Sequence, residues 1–381
     1  MRVLIAGGGI AGLTTAIGLA QRGIASVVCE RAARERDQGS GLVMAPNALA
    51  TLERLGLAER VRQVGVEPRL MMILRSDGTP LQTTATSLWR ERYGRGPVAI
   101  DRSALHAILL DAASDAEVRH QAGVKTFVDD PGATLRAELE DGAELTGDLL
   151  VAADGLRSTV RQQLLGSAPM RYSGQTSWRG IAHHRLGGEL ADVQAEIWSA
   201  TRGRRFGFVP IDAQHTYWFA TEHTKSGETD ESDAAAIAGL DSRLAEFLPA
   251  VHALLDATKR LVRTDIFDFA PLRSWHRGRV VLTGDAAHAT TPNLGQGACQ
   301  AIESAYVLAQ TLAERPLDAA LGAYEAARMA RTRWITTMSW RFGQLTNVPG
   351  PIGRWLRHSV LPRTPQKTML AQLDRLFTVD F

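Results

Sequence analysis

Short uninterrupted runs of apolar residues stand out from the patterned chain around them. "RVLIA" near the start has the length of a buried strand and passes straight into "GGGIAGL". Ala16, Leu19 and Ala20 then recur at helical spacing until Gly23, which predicts a helix with a glycine stop. A strand follows in "ASVVCE" and completes a βαβ unit. "LLVAADG" and "VVLTGD" repeat the strand signal much further along, the first ending on Asp154-Gly155 and the second on Gly284-Asp285. Each leads into a helical run, one carrying Arg161 and the other patterned on Ala301, Ile302, Ala305, Leu308 and Leu312.

Between these runs the pattern changes to alternation. "GQTSWRGIAHHRL", "QAEIWSA", "GRRFGFVPI" and "HTYWFATEHT" read as strands broken by Gly, Pro and Asp. With "LMMILRSDGTPLQTT" they predict an antiparallel sheet, followed by a helix in "AAAIAGLDSRLAEFLPAVHALLDAT". From about Pro316 the chain is helical and arginine-rich through "YEAARMARTRWITTMSWRFG". The expected division is a discontinuous cofactor domain at 1–73, 97–170 and 275–340, an inserted sheet domain at 74–96 and 171–274, and a C-terminal helical segment at 341–381. The basic stretch "PGPIGRWLRHSVLPRTP" falls in that last segment and is read as a packed helix, with contact to a membrane surface as the alternative.

Length and composition narrow the picture. At 381 residues the chain is long for a single core, so one large domain or two interleaved ones is expected. A formal charge of +2 argues against nucleic acid, which calls for a concentrated basic face. Cys29 and Cys299 are too few and too isolated for a disulfide framework or a cysteine-rich metal site. The pair His183-His184 lacks ligand-like partner spacing, so no metal is expected. The start could pass for an export signal, but its glycine spacing is better explained as a nucleotide turn. With no bilayer-length apolar run, the expectation is a reduced, cytoplasmic, soluble protein with no integral membrane segment.

The glycine spacing is Gly7-x-Gly9-x-x-Gly12, between a strand and a helix, with Glu30 eighteen residues beyond Gly12. Gly7 permits the tight turn, Gly9 lets backbone approach a pyrophosphate, and Gly12 lets helix and strand pack closely. The helix start offers free N–H groups to phosphate. Glu30 suits ribose hydroxyls and disfavours a 2′-phosphate, so FAD or NAD is expected there rather than NADP.

Three motifs in order, GxGxxG, Asp154-Gly155 and Gly284-Asp285, with Arg102 in "AIDRSALHAILLDAA", resemble the flavoprotein monooxygenases of the aromatic-hydroxylase family. The resemblance covers most of the chain. It implies an α/β fold of p-hydroxybenzoate hydroxylase type, a Rossmann-type FAD-binding domain with an inserted antiparallel-sheet substrate domain. It implies FAD held at Gly7, Gly9, Ala11, Gly12, Glu30, Arg31, Arg102, Val124, Asp154, Gly284, Asp285, Pro292, Gly295 and Gly297. FAD is long enough to need a second strand end, where Asp285 accepts ribityl hydrogen bonds and Ala286, Ala287 and Ala289 keep the backbone close. Pro292 then fixes the chain as it passes the flavin ring. Gly295 and Gly297 expose N–H groups at a helix start, which would favour the negative charge of reduced flavin.

His288 is read as structural rather than as a proton shuttle, and Arg157 and Arg161 as surface or fold-holding residues. Asp154 could cap its helix or face the cofactor. In the urate-hydroxylase-like branch of the family, Arg205 and Tyr217 would surround an anionic heteroaromatic substrate. Strand alternation puts Arg205, Gly207 and Val209 on one side and Phe206 and Phe208 on the other. Trp178, Trp198, Phe206, Phe208 and Trp218 could line a pocket or fill a core.

The family reaction uses NAD(P)H as a transient co-substrate and O2, which adds at flavin C4a to give the hydroperoxide that oxygenates an aromatic or N-heteroaromatic small molecule. No second GxGxxG unit provides a permanent nicotinamide domain. The alternatives are an FAD-dependent oxidase or dehydrogenase, a halogenase-like enzyme, for which the Trp-x-Trp-x-Ile-Pro run is missing, or a flavin-binding scaffold. A monomer or homodimer is expected.

Overall fold

Val3, Leu4 and Ile5 are wholly buried and sit in the central strand of a six-stranded sheet, which the apolar run at the amino end predicts. The computed structural model describes residues 1–33, 39–130, 132, 134–199, 203–346 and 366–379. The sheet runs in the order His276–Arg277, Val280–Leu282, Leu149–Ala152, Arg2–Ala6, Ala25–Cys29, Glu117–Arg119. All neighbours are parallel except the first pair. The carboxyl ends of Val280–Leu282, Leu149–Ala152 and Arg2–Ala6 therefore lie side by side. Three motifs far apart in the chain meet at one edge, where parallel sheets place their ligands.

Small residues let the layers close over that edge. Helices Ile10–Ala20 and Gly297–Glu314 cross so tightly that a Cβ on Gly18 would lie 2.8 Å from Ala309 Cβ. The thirty-residue helix Leu317–Thr346 lies behind them. A three-stranded sheet, Val124–Val128, Leu135–Leu139 and Glu144–Gly147, adds to the cofactor side and has no counterpart in the pattern reading.

The second sheet has seven strands in the order Thr258–Phe269, Met170–Ala182, Thr216–His223, Arg205–Pro210, Val193–Trp198, Leu70–Arg75, Pro80–Ala85. It is antiparallel except where Val193–Trp198 meets Leu70–Arg75, because those strands come from separate insertions. Thr258–Phe269 is an edge strand that the pattern reading misses. Lys259, Arg260 and Arg263 break its apolar alternation, as edge strands commonly do. Trp178, Phe206, Phe208 and Trp218 occupy the outer face, in a core shared with helices Asp233–Arg243 and Pro249–Asp256. Pro249 opens the second of these and divides the single helix expected there. Trp198 lies on the inner face, its ring 6.1 Å from that of Phe342.

A buried ionic cluster ties the long helices together. Glu303 accepts from Arg328, Arg331, Gln300 and Asn47, and Gln296 accepts from Asn47 and Gln300. Burial alone would raise the Glu303 carboxyl, but the two guanidinium groups outweigh it and hold it below its ordinary range. Arg331 also donates to the carbonyls of Arg375 and Leu376, anchoring the C-terminal helix Gln366–Phe377. Phe377 packs against Trp89 and Tyr93, and Asp374 pairs with Arg92. That helix falls within the stretch 341–381. The basic stretch at 349–365 lies outside the described residues.

Glu303→Ala leaves the buried Arg328 and the half-buried Arg331 guanidinium groups without their shared carboxylate. It should cost about 3–5 kcal/mol by denaturant unfolding of the holoprotein, with Glu303→Gln losing less.

Candidate active site

The turn after the first strand is built from bare backbone. Gly7 adopts φ +102°, and its N–H donates to the Cys29 carbonyl at 2.8 Å. A Cβ on Gly12 would sit 1.9 Å from the Gly7 carbonyl oxygen, so no other residue fits. Gly9 faces open space, with nothing within 4 Å of where a Cβ would be. It precedes helix Ile10–Ala20, which has no side-chain cap and no acid in its first turn. Its N–H groups and partial positive charge are thus left for an anion.

Glu30 stands beside this turn. Its carboxylate oxygens accept from the N–H of Gly8 at 2.6 Å and of Ala32 at 2.7 Å. Arg31 packs over Gly123, next to Val124, and these residues mark the same end of the groove.

The neighbouring strand ends supply the rest. Ser158 caps helix Thr159–Leu165, and one oxygen of Asp154 accepts from its first N–H, that of Thr159, at 2.9 Å. The other Asp154 oxygen, Oδ1, is buried with no partner among the described residues. Asp285 is exposed at the floor of the cleft. The surrounding protein raises its carboxyl, while Arg102 and Arg161 pull it down. Gly284, at φ +58°, leaves only 2.6 Å between its notional Cβ and Ala11 Cβ. Arg161 holds this corner by donating to the carbonyls of Leu156 at 2.6 Å and Ala286 at 3.2 Å. Arg157 is exposed.

Beyond the short helix Asp285–His288, Pro292 and Gly295 are exposed. Helix Gly297–Glu314 starts without a side-chain cap or an early acid. His288 is buried, with Nε2 2.9 Å from Ser304 Oγ. Burial, helped by the charge of Arg328, pushes its imidazole down to about 3, so it stays neutral and structural.

The inner face of the seven-stranded sheet looks onto this cleft. Arg205 pairs across with Thr221, Gly207 with Phe219 and Val209 with Tyr217. Arg205 is buried, and its guanidinium donates to Thr221 at 3.1 Å, Glu196 at 3.1 Å and Asn293 at 2.7 Å. Asn293, which sequence reasoning passes over, also donates to the Ser339 carbonyl at 3.1 Å. It ties the loop after Pro292 to both the sheet and the long helix. Its only sequence signal is its place between Pro292 and Gly295. Tyr217 is half-buried over Gly41, where a Cβ would come within 2.6 Å of Tyr217 Cβ. Burial raises the Tyr217 phenol, against the charges of Arg179 and Arg102, and keeps it protonated.

The donor set fits FAD: an open glycine turn for the diphosphate, Glu30 for ribose, Asp285 and the orphaned Asp154 Oδ1 at the adjoining strand ends, and an uncapped helix start beyond them. The fold and site define a flavoprotein with its substrate sheet set over the cofactor edge. The FAD binding domain family matches residues 1–339, and the chain belongs to it. It is an FAD-dependent monooxygenase.

The chain is 40% identical over 364 residues to an aurachin C monooxygenase/isomerase of Stigmatella aurantiaca, covering 95% of this chain and 94% of that one. It is 35% identical to a 2-heptyl-3-hydroxy-4(1H)-quinolone synthase of Pseudomonas aeruginosa, covering 99% and 98%. The fold matches Klebsiella pneumoniae HpxO complexed with FAD and uric acid at a TM-score of 0.90 and 27% identity, covering 99% and 96%. Among the described residues no helix is long and apolar enough to cross a membrane, and no cluster of His, Cys, Asp or Glu could hold a metal ion.

Asp285→Ala should weaken FAD binding by about 10- to 100-fold, the loss of hydrogen bonds to a charged acceptor, read by flavin retention and titration. His288 gives a pH signature. Below about 6.5 the unfolded chain takes up a proton that the folded one refuses, so stability falls as pH drops toward 3. His288→Asn should flatten that fall by up to about 1.4 kcal/mol per pH unit in unfolding titrations.

Proposed function

We propose that this flavoprotein uses NAD(P)H and O2 to hydroxylate or epoxidise an aromatic or N-heteroaromatic small molecule, with 4-quinolones first in the substrate class. Whole-length similarity to a quinolone-forming relative supports the class. The observation that carries the reading is the hydrogen bond from Arg205, on the sheet face that bears Tyr217, to Asn293 in the loop leading to the uncapped Gly297 helix start.

Bound in the cleft, FAD supplies hydride acceptance and oxygen activation. Gly9 and the first helix start would hold its diphosphate with Arg102 nearby, and Asp285 would take the ribityl hydroxyls. The Gly297 helix start favours negative charge on the reduced ring. Arg205 acts by positioning: it fixes Asn293, and with it the loop after Pro292 that would border the cofactor. Ile181, Val209 and Phe219 share the inner face and keep water from the reacting centre. Tyr217, protonated, donates to a substrate oxygen and sets the orientation of the ring. We place the enzyme in the cytoplasm as a monomer or homodimer.

The purified protein should be yellow. A panel of 4-quinolones, phenols, purines and aromatic acids should contain compounds that accelerate NAD(P)H oxidation at least about tenfold, since substrate contacts of this kind are worth that much. Oxygenated product should form with little peroxide. A colourless protein, or peroxide equal to NAD(P)H consumed with every compound, would refute the reading. Tyr217→Phe should raise KM for the active compound by about tenfold while leaving FAD bound, consistent with loss of one buried hydrogen bond.

A further inference from the structure

The polar groups of the cleft divide into those already satisfied and those still offering hydrogen bonds. Arg205, the arginine that sequence reasoning selects for an anionic substrate, has Thr221, Glu196 and Asn293 as partners. Its charge is largely answered by the Glu196 carboxylate. Arg179 is different. It lies on the long strand Met170–Ala182, directly opposite Phe219 on one side and Val262 on the other. Directly paired residues of antiparallel strands project from the same face, so Arg179 shares the inner face with Phe219 and Tyr217. Trp178, one residue away, belongs to the outer core.

Arg179 is half-buried, and both of its cross-strand neighbours are apolar. Among the described residues its guanidinium has no hydrogen bond or ion pair. The same holds for Arg102 and for the Tyr217 hydroxyl. These three lie close enough to interact electrostatically, and Asp285 is the carboxylate that answers Arg102. Asp285 is shared with Arg161 as well. Asp154 also answers Arg161, so the three guanidinium groups of Arg102, Arg161 and Arg179 face two carboxylates, an excess of positive charge that draws in anions. Arg102 and Asp285 belong to the cofactor side. On the sheet side stand the Tyr217 hydroxyl, read above as a donor to a substrate oxygen, and Arg179, which has no assigned acceptor.

We propose that Arg179 and the Tyr217 hydroxyl together receive an anionic oxygen of a ligand that enters the cleft beside the flavin. This rests on the monooxygenase reading above and replaces Arg205 with Arg179 as the charge that a ligand meets. Two sources share this chemistry: the carboxylate or ring olate of an acidic aromatic substrate, and the diphosphate of the transient nicotinamide coenzyme. A planar guanidinium serves either through paired N–H donors.

The test uses FAD-loaded wild type, Arg179→Met and Arg179→Lys, with ligand binding followed by the absorbance change of oxidised flavin and no turnover required. The probes are 3-hydroxybenzoate, its neutral counterpart 3-hydroxybenzamide, and ADP-ribose for the coenzyme diphosphate. Wild type should bind at least one of the two anions. Arg179→Met should weaken that anion by roughly 10- to 100-fold, as for a charged hydrogen bond, and Arg179→Lys should recover part of the loss. FAD content and 3-hydroxybenzamide binding should change by less than about twofold in either variant, since neither depends on the added charge. Loss confined to 3-hydroxybenzoate assigns the site to substrate, and loss confined to ADP-ribose assigns it to the coenzyme. The proposal is overturned if wild type binds neither anion, if Arg179→Met binds both as wild type does, or if Arg179→Lys is as weak as Arg179→Met. A protein that binds these anions through Arg179 yet oxygenates nothing would sink the function and leave the site standing.

Discussion

Everything in this molecule depends on how closely bare backbone approaches bare backbone at the carboxyl edge of the parallel sheet. Gly12 leaves no room for a methyl group against the Gly7 carbonyl, and Gly284 leaves little against Ala11. Any side chain at those points would push the first helix off the sheet and separate the strand ends. With hydrogen in their place, the helix start, Asp154 and Asp285 come to one edge, where a cofactor as long as FAD could reach all of them. Such close approach loses the side-chain burial other residues would contribute, and the apolar strands Val3–Ile5, Leu149–Ala152 and Val280–Leu282 compensate by burying nearly all of theirs.

Charge in the cleft is arranged by who has a partner. In the Glu303 cluster and the Arg205 set the guanidinium groups meet acceptors, and they hold helices and loop in place. Asp285, Arg102, Arg179 and Tyr217 are open, and they line the space between the two domains. A closed set confers rigidity, whereas an open one confers affinity for something that arrives later. The same residue type thus serves both ends, with Arg205 structural in its contacts and Arg179 available.

The cofactor half was readable because its devices are local. A glycine that must adopt positive φ, a strand that must end and an acid at a set distance all leave marks within a few residues of one another, as Gly7, Gly12 and Glu30 do. The sheet half was readable only as alternation. Alternation correctly separated Arg205 and Gly207 from Phe206 and Phe208, yet it gave no sign of the edge strand Thr258–Phe269, whose charges obscure the apolar alternation. It also gave no means of ranking Arg179 against Arg205, since both stand on strands among aromatic residues.

By itself the amino-acid sequence determined the βαβ turn, the strand ends, the presence of an inserted sheet and the class of cofactor. Those follow from backbone sterics and short-range periodicity, which act between near neighbours in the chain. Only the tertiary structure decided which strands lie side by side, that Asn293 would occupy Arg205, and that Arg179 would share a face with Tyr217 without a partner among the described residues. Those outcomes depend on pairings across tens to hundreds of residues, and whether a charge is satisfied or available is a property of the neighbours that packing brings to it.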